Sequence, residues 1–436
     1  MSSSVRLTRL ENLLEVTSTK RIHMADYVKS GVPFYRSKEV IERSKGNRIS
    51  TELFISRDQF EIIQKKFGRP QDGDILLTSV GTVGVPYLVK GDGDFYFKDG
   101  NLTWMRNFTN EISARFLYYW LTSPLIQQKI KEVSIGSTQK ALTISALKSL
   151  EITLPTRKVQ NEIVVILDSI SDRITLLRET NTTLEAIAQA LFKSWFVDFD
   201  PVHAKQQGRE PEGMDADTAA LFPDSFEESE PGLVPRGWNI LSFTDTVKVI
   251  GGGTPKTSIP EFWDGSIPWF SVVDAPVITN VFVIDTTKHI SEYGLNNSST
   301  KLLPEGTTII SARGTVGRLA LVGREMAMNQ SCYGLRGKAD DAYFTYFSTY
   351  RLVEALKQRS HGSVFDTITT ETMKGVSVIY PDTKVIHAFE TILSPVMNRI
   401  KTNLEQAQTL ANLRDTLLPR LISGQLRLPD VEEVSA

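Results

Sequence analysis

Two glycine-bounded turns hold the side chains best suited by type to grip a polyanion. They are Gly81-Thr82-Val83-Gly84 and Gly314-Thr315-Val316-Gly317. Around the first stand Thr78, Ser79, Gly81, Thr82, Lys98 and Asn101, and around the second Thr254, Lys256, Arg313, Gly314, Thr315, Asn329 and Gln330. Ser137, Thr138, Gln139 and Lys140 form a further polar loop, whose later counterpart includes Ser363. Hydroxyl, amide and cationic donors of this kind suit phosphates and base edges, and glycine lets the backbone approach closely. The same residue types also serve plain turn and capping chemistry. The glycines equally satisfy positive backbone angles, and residues 137–140 equally fit a solvated surface.

No catalytic set accompanies these donors. An adenine methyltransferase needs an Asn-Pro-Pro-aromatic or Asp-Pro-Pro-Tyr element beside a glycine-rich cofactor loop, and neither occurs. A GxxxxGK[ST] phosphate loop is also missing, since residues 251–257 carry glycines and a lysine in the wrong order. Pro381-Asp382-Thr383-Lys384 has the look of a nuclease acid and lysine, but its repeat counterpart at residues 155–158 has no acid, which favours a structural junction. His23, His203, His289, His361 and His387 show no metal-ligand spacing, and Cys332 is the single cysteine, so no metal site and no intramolecular disulfide are expected. The expected chain is therefore not an enzyme and carries no cofactor.

The net charge of −2 hides an uneven distribution. Residues 1–155 hold 22 basic against 16 acidic side chains, whereas residues 198–231 hold 2 against 10. Phosphate binding depends on local basic surface, so the total does not exclude a nucleic acid. With 436 residues, two or more domains are expected. Residues 1–20 do not read as a secretory leader and no apolar run is long enough to cross a bilayer, so a cytoplasmic location without membrane contact is expected.

The elements that position these residues occur twice. Gly136-Ser137 and Gly362-Ser363 lie 226 residues apart, and the same offset relates Pro155 to Pro381, Arg173 to Arg399, Leu184 to Leu410 and Leu191 to Leu417. Upstream, the two glycine turns are offset by 233, so one loop has changed length. Ordered matches of this kind identify a duplication. Each copy runs from a strand-rich region into a long helix. Residues 74–79, 307–312, 150–154 and 376–380 are strand candidates, and 116–133 and 343–357 read as helices. Residues 198–231 are acidic, aperiodic and contain four prolines, which predicts a loop or linker.

Both long helices carry a coiled-coil seam. Ile163, Leu167, Ile170, Ile174, Leu177, Asn181, Leu184, Ala188, Leu191 and Trp195 are spaced 4, 3, 4, 3 without a break. Phe389, Leu393, Val396, Ile400, Asn403, Ala407, Leu410, Arg414, Leu417 and Leu421 follow the same rule. About 38 residues at 1.5 Å each give roughly 57 Å, longer than a small domain needs and longer than the ~34 Å of one DNA turn. The helices are therefore expected to pair as a spacer. Antiparallel overlap sets Asn181 against Asn403 and Trp195 beside Phe389, whereas parallel overlap would bury both amides without partners.

The chain resembles the specificity subunits of type I restriction-modification systems over nearly its whole length. The resemblance rests on Asp74-Ile75-Leu76-Leu77 leading into the first glycine turn, Arg313 leading into the second, and Gly251-Gly252-Gly253-Thr254-Pro255. Residues 190–201, ALFKSWFVDFDP, and Pro235-Arg236-Gly237-Trp238 complete it. It implies an α+β fold with two mixed target-recognition domains, at 1–155 and 236–382, and a pseudo-two-fold internal repeat. The long antiparallel helices at 156–197 and 383–426 separate these domains, with an acidic linker at 198–235 and a tail at 427–436. It further implies a non-catalytic reader of a split, asymmetric site on double-stranded DNA. Two methyltransferase and two restriction subunits would be its partners, with S-adenosylmethionine, ATP and Mg²⁺ bound by them. A coiled-coil protein-interaction scaffold without specific DNA binding is the alternative. The first copy has Val16-Thr17-Ser18-Thr19-Lys20 where the second has its GGTP element, so the two heads are expected to touch DNA differently.

Overall fold

A computed structural model describes residues 6–46, 51–136, 140–230, 232–276, 281–359 and 367–426. The chain divides into two compact units, one formed by residues up to Thr175 together with those from Gln408 on, the other by Leu176–Ala407. Each unit combines one mixed α/β head with a segment of both long helices, Arg157–Phe196 and Thr383–Ile422.

The heads share one topology. In the first unit, strands Glu15–Thr17, Leu102–Arg106, Ile75–Thr78 and Pro86–Leu88 form an antiparallel sheet in that order. In the second, Val247–Gly251, Cys332–Gly337, Thr308–Ser311 and Leu319–Val322 repeat the arrangement, and Phe282–Val283 adds a parallel edge. The central strands Ile75–Thr78 and Thr308–Ser311 are buried along their length, which explains why both read as short continuous apolar runs. The helix expected over 116–133 is two helices, Ala114–Thr122 and Pro124–Val133, because Pro124 cannot continue one helix but suits the first turn of the next.

Each unit fastens its head to the long helices through buried side chains. In the first, Ile163 and Leu167 join Leu418 and Leu421 in one core with the head residues Phe116 and Trp120. Buried Gln160 accepts from Ser113 N (2.8 Å) and donates to the carbonyls of Glu111 and Pro155. In the second, Phe192, Trp195 and Phe196 surround Phe389, with Phe196 meeting Phe344 edge on. Glu185 accepts from Val281 N (3.0 Å), and Glu390 accepts from Tyr343 N (2.9 Å) and Phe344 N (2.7 Å) at the start of helix Ala342–Arg359. Burial pushes both carboxyls up to about 7.

The helices run antiparallel in both units. Asn403 Nδ2 donates to Asn181 Oδ1 (2.9 Å), and Asn181 Nδ2 donates to the Ile400 carbonyl (3.0 Å). Rising numbers in one helix thus meet falling numbers in the other. None of the seam residues Ile163, Leu167, Ile174, Leu184, Leu191, Trp195, Phe389, Leu393, Ile400, Leu410 and Leu417 is exposed. Arg414 is half-buried and paired with Asp415.

The acidic stretch departs from its expected loop. It folds as helices Asp200–Gln206 and Ala216–Ala220 and a hairpin of Phe226–Ser229 with Gly232–Pro235. Val202, Phe222, Val234 and Trp238 are buried in the aromatic core around Trp195 and Phe196. Its acidic residues cover the outside of a small hydrophobic body, so charge and missing periodicity marked a folded connection rather than a plain loop.

Candidate nucleic-acid interface

In each head the described residues named for binding converge on one end of the antiparallel sheet, and a shared set of backbone bonds brings them there. Ala312 N donates to Ser331 O (2.8 Å) in the second head as Ser79 N does to Asn101 O (2.8 Å) in the first. Ile368 N donates to Ala312 O (2.9 Å) as Leu142 N does to Ser79 O (2.8 Å). The glycine turns therefore lie between the loop that opens the neighbouring strand and an incoming segment, that of Lys140 in the first head and Thr367 in the second. Gly81, Gly84, Gly314 and Gly317 all have φ between 76° and 89°, a region that side chains with a Cβ rarely adopt.

The hydroxyls at the strand ends point inward. Thr78 Oγ1 accepts from Val85 N (2.9 Å), and Ser311, its counterpart, accepts from Arg318 N (2.8 Å) while donating to Thr315 O (2.6 Å). Ser79 is buried and shares a hydrogen bond with Thr103 (2.6 Å). The Thr78 and Ser79 oxygens are thus satisfied by bonds within the head that lock its hairpin. The outward side chains are Thr82 and Lys140 in the first head and Arg313 and Thr315 in the second, with Lys98 and Asn101 half-buried beside theirs. Ser137, Thr138, Gln139 and Ser363 lie outside the described residues.

The GGTP element joins the same sheet end in the second head. A Cβ on Gly252 would stand 1.9 Å from Asn329 O, and one on Gly253 2.4 Å from Thr300 N, so both glycines are required by close backbone packing. That packing brings the Thr254 hydroxyl onto Gln330 Oε1 and lets Trp269 Nε1 reach Gly253 O (3.0 Å). Asn329 Oδ1 accepts from Ser331 N (3.0 Å), which stiffens the loop, and Lys256 is exposed at the edge. The first head lacks these glycines and holds the equivalent segment through side chains instead. Ser18 Oγ accepts from Gly100 N (3.5 Å), Lys20 N donates to the Tyr96 hydroxyl (3.3 Å), and Arg21 pairs with Asp99.

Arg313 and Lys256 take part in none of the ion pairs among the described residues. Each sheet end therefore offers an outward cation and hydroxyl with an amide beside them, half-buried Asn101 in the first head and exposed Gln330 in the second, which is the chemistry of phosphate positioning and base-edge contact. Reading residue types missed a second loop at each sheet end, at residues 36–39 and 271–274. Its signal was Val32-Pro33-Phe34-Tyr35 recurring as Ile267-Pro268-Trp269-Phe270. No three or more His, Cys, Asp or Glu side chains among the described residues are grouped to hold a metal, and no described helix is long and apolar enough to cross a membrane.

Comparison with known proteins places these features in context. The family model for the type I restriction modification DNA specificity domain matches residues 4–186 and 235–412. The type I restriction enzyme HindI specificity subunit of Haemophilus influenzae is 29% identical over 399 residues, covering 81% of this chain and 86% of that protein. The MjaIX specificity subunit of Methanocaldococcus jannaschii is 25% identical over 429 residues, covering 95% and 91%. Among solved structures, the S subunit of the type I restriction-modification system of M. genitalium superposes with a TM-score of 0.53 at 17% identity, covering 99% of this chain and 97% of that one, a likeness of fold.

Proposed function

Because the chain belongs to the type I restriction modification DNA specificity family, we propose that it reads a bipartite, asymmetric site on double-stranded DNA, one half-site per head. The observation that carries this reading is the repeated sheet end: the same backbone scaffold presents different outward side chains in the two heads. Thr82, Lys98, Asn101 and Lys140 serve one half-site, and Thr254, Lys256, Arg313, Thr315, Asn329 and Gln330 the other. Phosphate contacts from the cations fix register, and the amides and hydroxyls meet base edges.

The paired helices act as the ruler between half-sites and as the docking surface for two methyltransferase subunits, to which two restriction subunits are added. S-adenosylmethionine, ATP and Mg²⁺ belong to those partners. This chain supplies aim and no chemistry, and it works in the cytoplasm.

Sequencing of methylated DNA from cells carrying the complete system tests the reading. The expected motif is split and asymmetric. Exchanging residues 1–155 for those of a relative should change one half-site and leave the other intact. An undivided palindrome, or simultaneous change of both half-sites, would refute the two-head model.

A further inference from the structure

Beside the glycine turn, each head carries a second loop built to one plan. In the first head, Val32–Tyr35 runs parallel to Tyr96–Phe97 and ends where Lys98 N donates to Tyr35 O (2.9 Å). In the second, the end of Trp263–Phe270 runs parallel to Ala327–Met328, and Asn329 N donates to Phe270 O (2.9 Å). The chain then turns under an acidic residue three positions on, into the helix Ser37–Ser44 in the first head and a single 3-10 turn, Val272–Asp274, in the second. Arg36 N donates to Glu39 Oε2 (2.8 Å), and Ser271 N donates to Asp274 Oδ2 (2.9 Å).

Both turns are pinned from a second side. The Arg36 guanidinium closes on buried Glu39 (2.7 Å). Asp274 takes the Ser271 hydroxyl (2.9 Å) with one oxygen and the Thr287 backbone N (2.8 Å) and hydroxyl (2.7 Å) with the other. The residue before the acid is the one each turn holds out: Lys38 is exposed, and Val273 is 77% exposed. Both turns lie at the sheet end already described, since Ser37 Oγ donates to Asn101 O (3.4 Å) and Asn329 follows directly from the strand beside Phe270.

A rigid turn fixes a side chain at little entropic cost on binding, which is what base discrimination needs. An ammonium held out at such a place suits the O6 and N7 acceptors of guanine, and a branched aliphatic suits the thymine methyl. Resting on the functional reading above, we propose that Lys38 and Val273 occupy equivalent base-reading positions. Lys38 reads guanine acceptors in one half-site, and Val273 reads a thymine methyl in the other.

The test uses the full chain assembled with its methyltransferase subunits and duplexes carrying the methylated motif. Single thymines are replaced by deoxyuridine, which removes only the methyl group. One such replacement, in the half-site of the second head, should weaken wild-type binding about fivefold. Val273→Ala should weaken binding to the thymine duplex by a similar factor and show no further loss with deoxyuridine there. Lys38→Ala should relax one G·C position in the other half-site, and Lys38→Arg should retain it. Both side chains are exposed, so the variants are expected to fold, and unchanged thermal unfolding checks this. If Val273→Ala and Lys38→Ala keep every wild-type base preference, with affinity unchanged or uniformly lowered, the inference is wrong while the functional reading stands. A wild-type complex with no sequence preference would overturn that reading and this inference with it.

Discussion

Replacing Asn181 with leucine removes the acceptor that Asn403 Nδ2 uses across the seam. Asn181 and Asn403 are 2% and 0% exposed, so no bulk water compensates. Among the described residues, Asn403 Oδ1 already has no hydrogen-bond partner. Asn181→Leu therefore leaves a whole buried amide unpaired, and one newly orphaned donor costs about 1–3 kcal/mol. Asn403→Leu orphans Asn181 Oδ1 but at the same time removes the unpaired Oδ1 of Asn403, while Asn181 Nδ2 keeps the Ile400 carbonyl. It should cost less than Asn181→Leu. The double variant removes both amides and should be near neutral or more stable than either single, giving a coupling energy of about 1–3 kcal/mol. Chemical denaturation of the full chain followed by tryptophan fluorescence, to which Trp195 in the same seam contributes, measures the order. If Asn403→Leu is the more damaging single variant, or the double variant is worse than both, the paired-amide account of the seam fails.

Three further outcomes follow from the same geometry. Glu185 and Glu390 are held up to about 7 by burial, so the folded chain keeps protons that the unfolded chain releases, and the stability of the second unit should fall as pH rises from about 5 to 8. The Glu185 contribution is at most about 3 kcal/mol, and Glu185→Gln should flatten the slope of denaturation midpoint against pH; an unchanged slope counts against the assignment. Arg313→Glu should weaken binding of the assembled complex in gel shifts, and if the guanidinium meets phosphate alone, the loss should be uniform across sequences with a salt slope smaller by about 1; unchanged affinity would remove Arg313 from the interface. Inserting one helical turn into either seam, about 5.4 Å of rise, should lengthen the tolerated spacer or abolish activity; new base preferences with the old spacing would refute the ruler.

Periodicity carried what was legible in the sequence. The 226-residue offset and the 4, 3 spacing survive because an antiparallel helix pair favours apolar groups at the seam, the exceptions being Asn181 and Asn403, joined by one hydrogen bond, and half-buried Arg414, paired with Asp415. The anchoring of the acidic stretch was hidden because Val202, Phe222, Val234 and Trp238 attach a short irregular body to a core by single anchors, which leave no period to read. At the interface, residue type showed which loops hold donors but not which way they face. Thr78 and Thr82 look alike on paper, yet one caps a buried hairpin and the other stands in solvent. The turns at Lys38 and Val273 escaped notice because their shared logic is a backbone amide bound to an acid three residues on, and the presented side chains differ.

The first strand of each head pairs with its last. Arg6–Arg9 lies antiparallel to Glu151–Leu154, just before the first long helix begins at Arg157, and Asn239–Ser242 lies antiparallel to Ser377–Tyr380, just before the second begins at Thr383. The two ends of a head are thus a strand spacing apart, about 4.8 Å. A polypeptide gathered at the neck in this way can be excised and another grafted in its place without stretching or shortening the helices, since any head with the same paired neck closes the same gap. On the proposed reading, what is recognised and how far apart it is recognised become separately heritable, so a lineage can acquire a new half-site in one genetic exchange while its measured distance stays fixed.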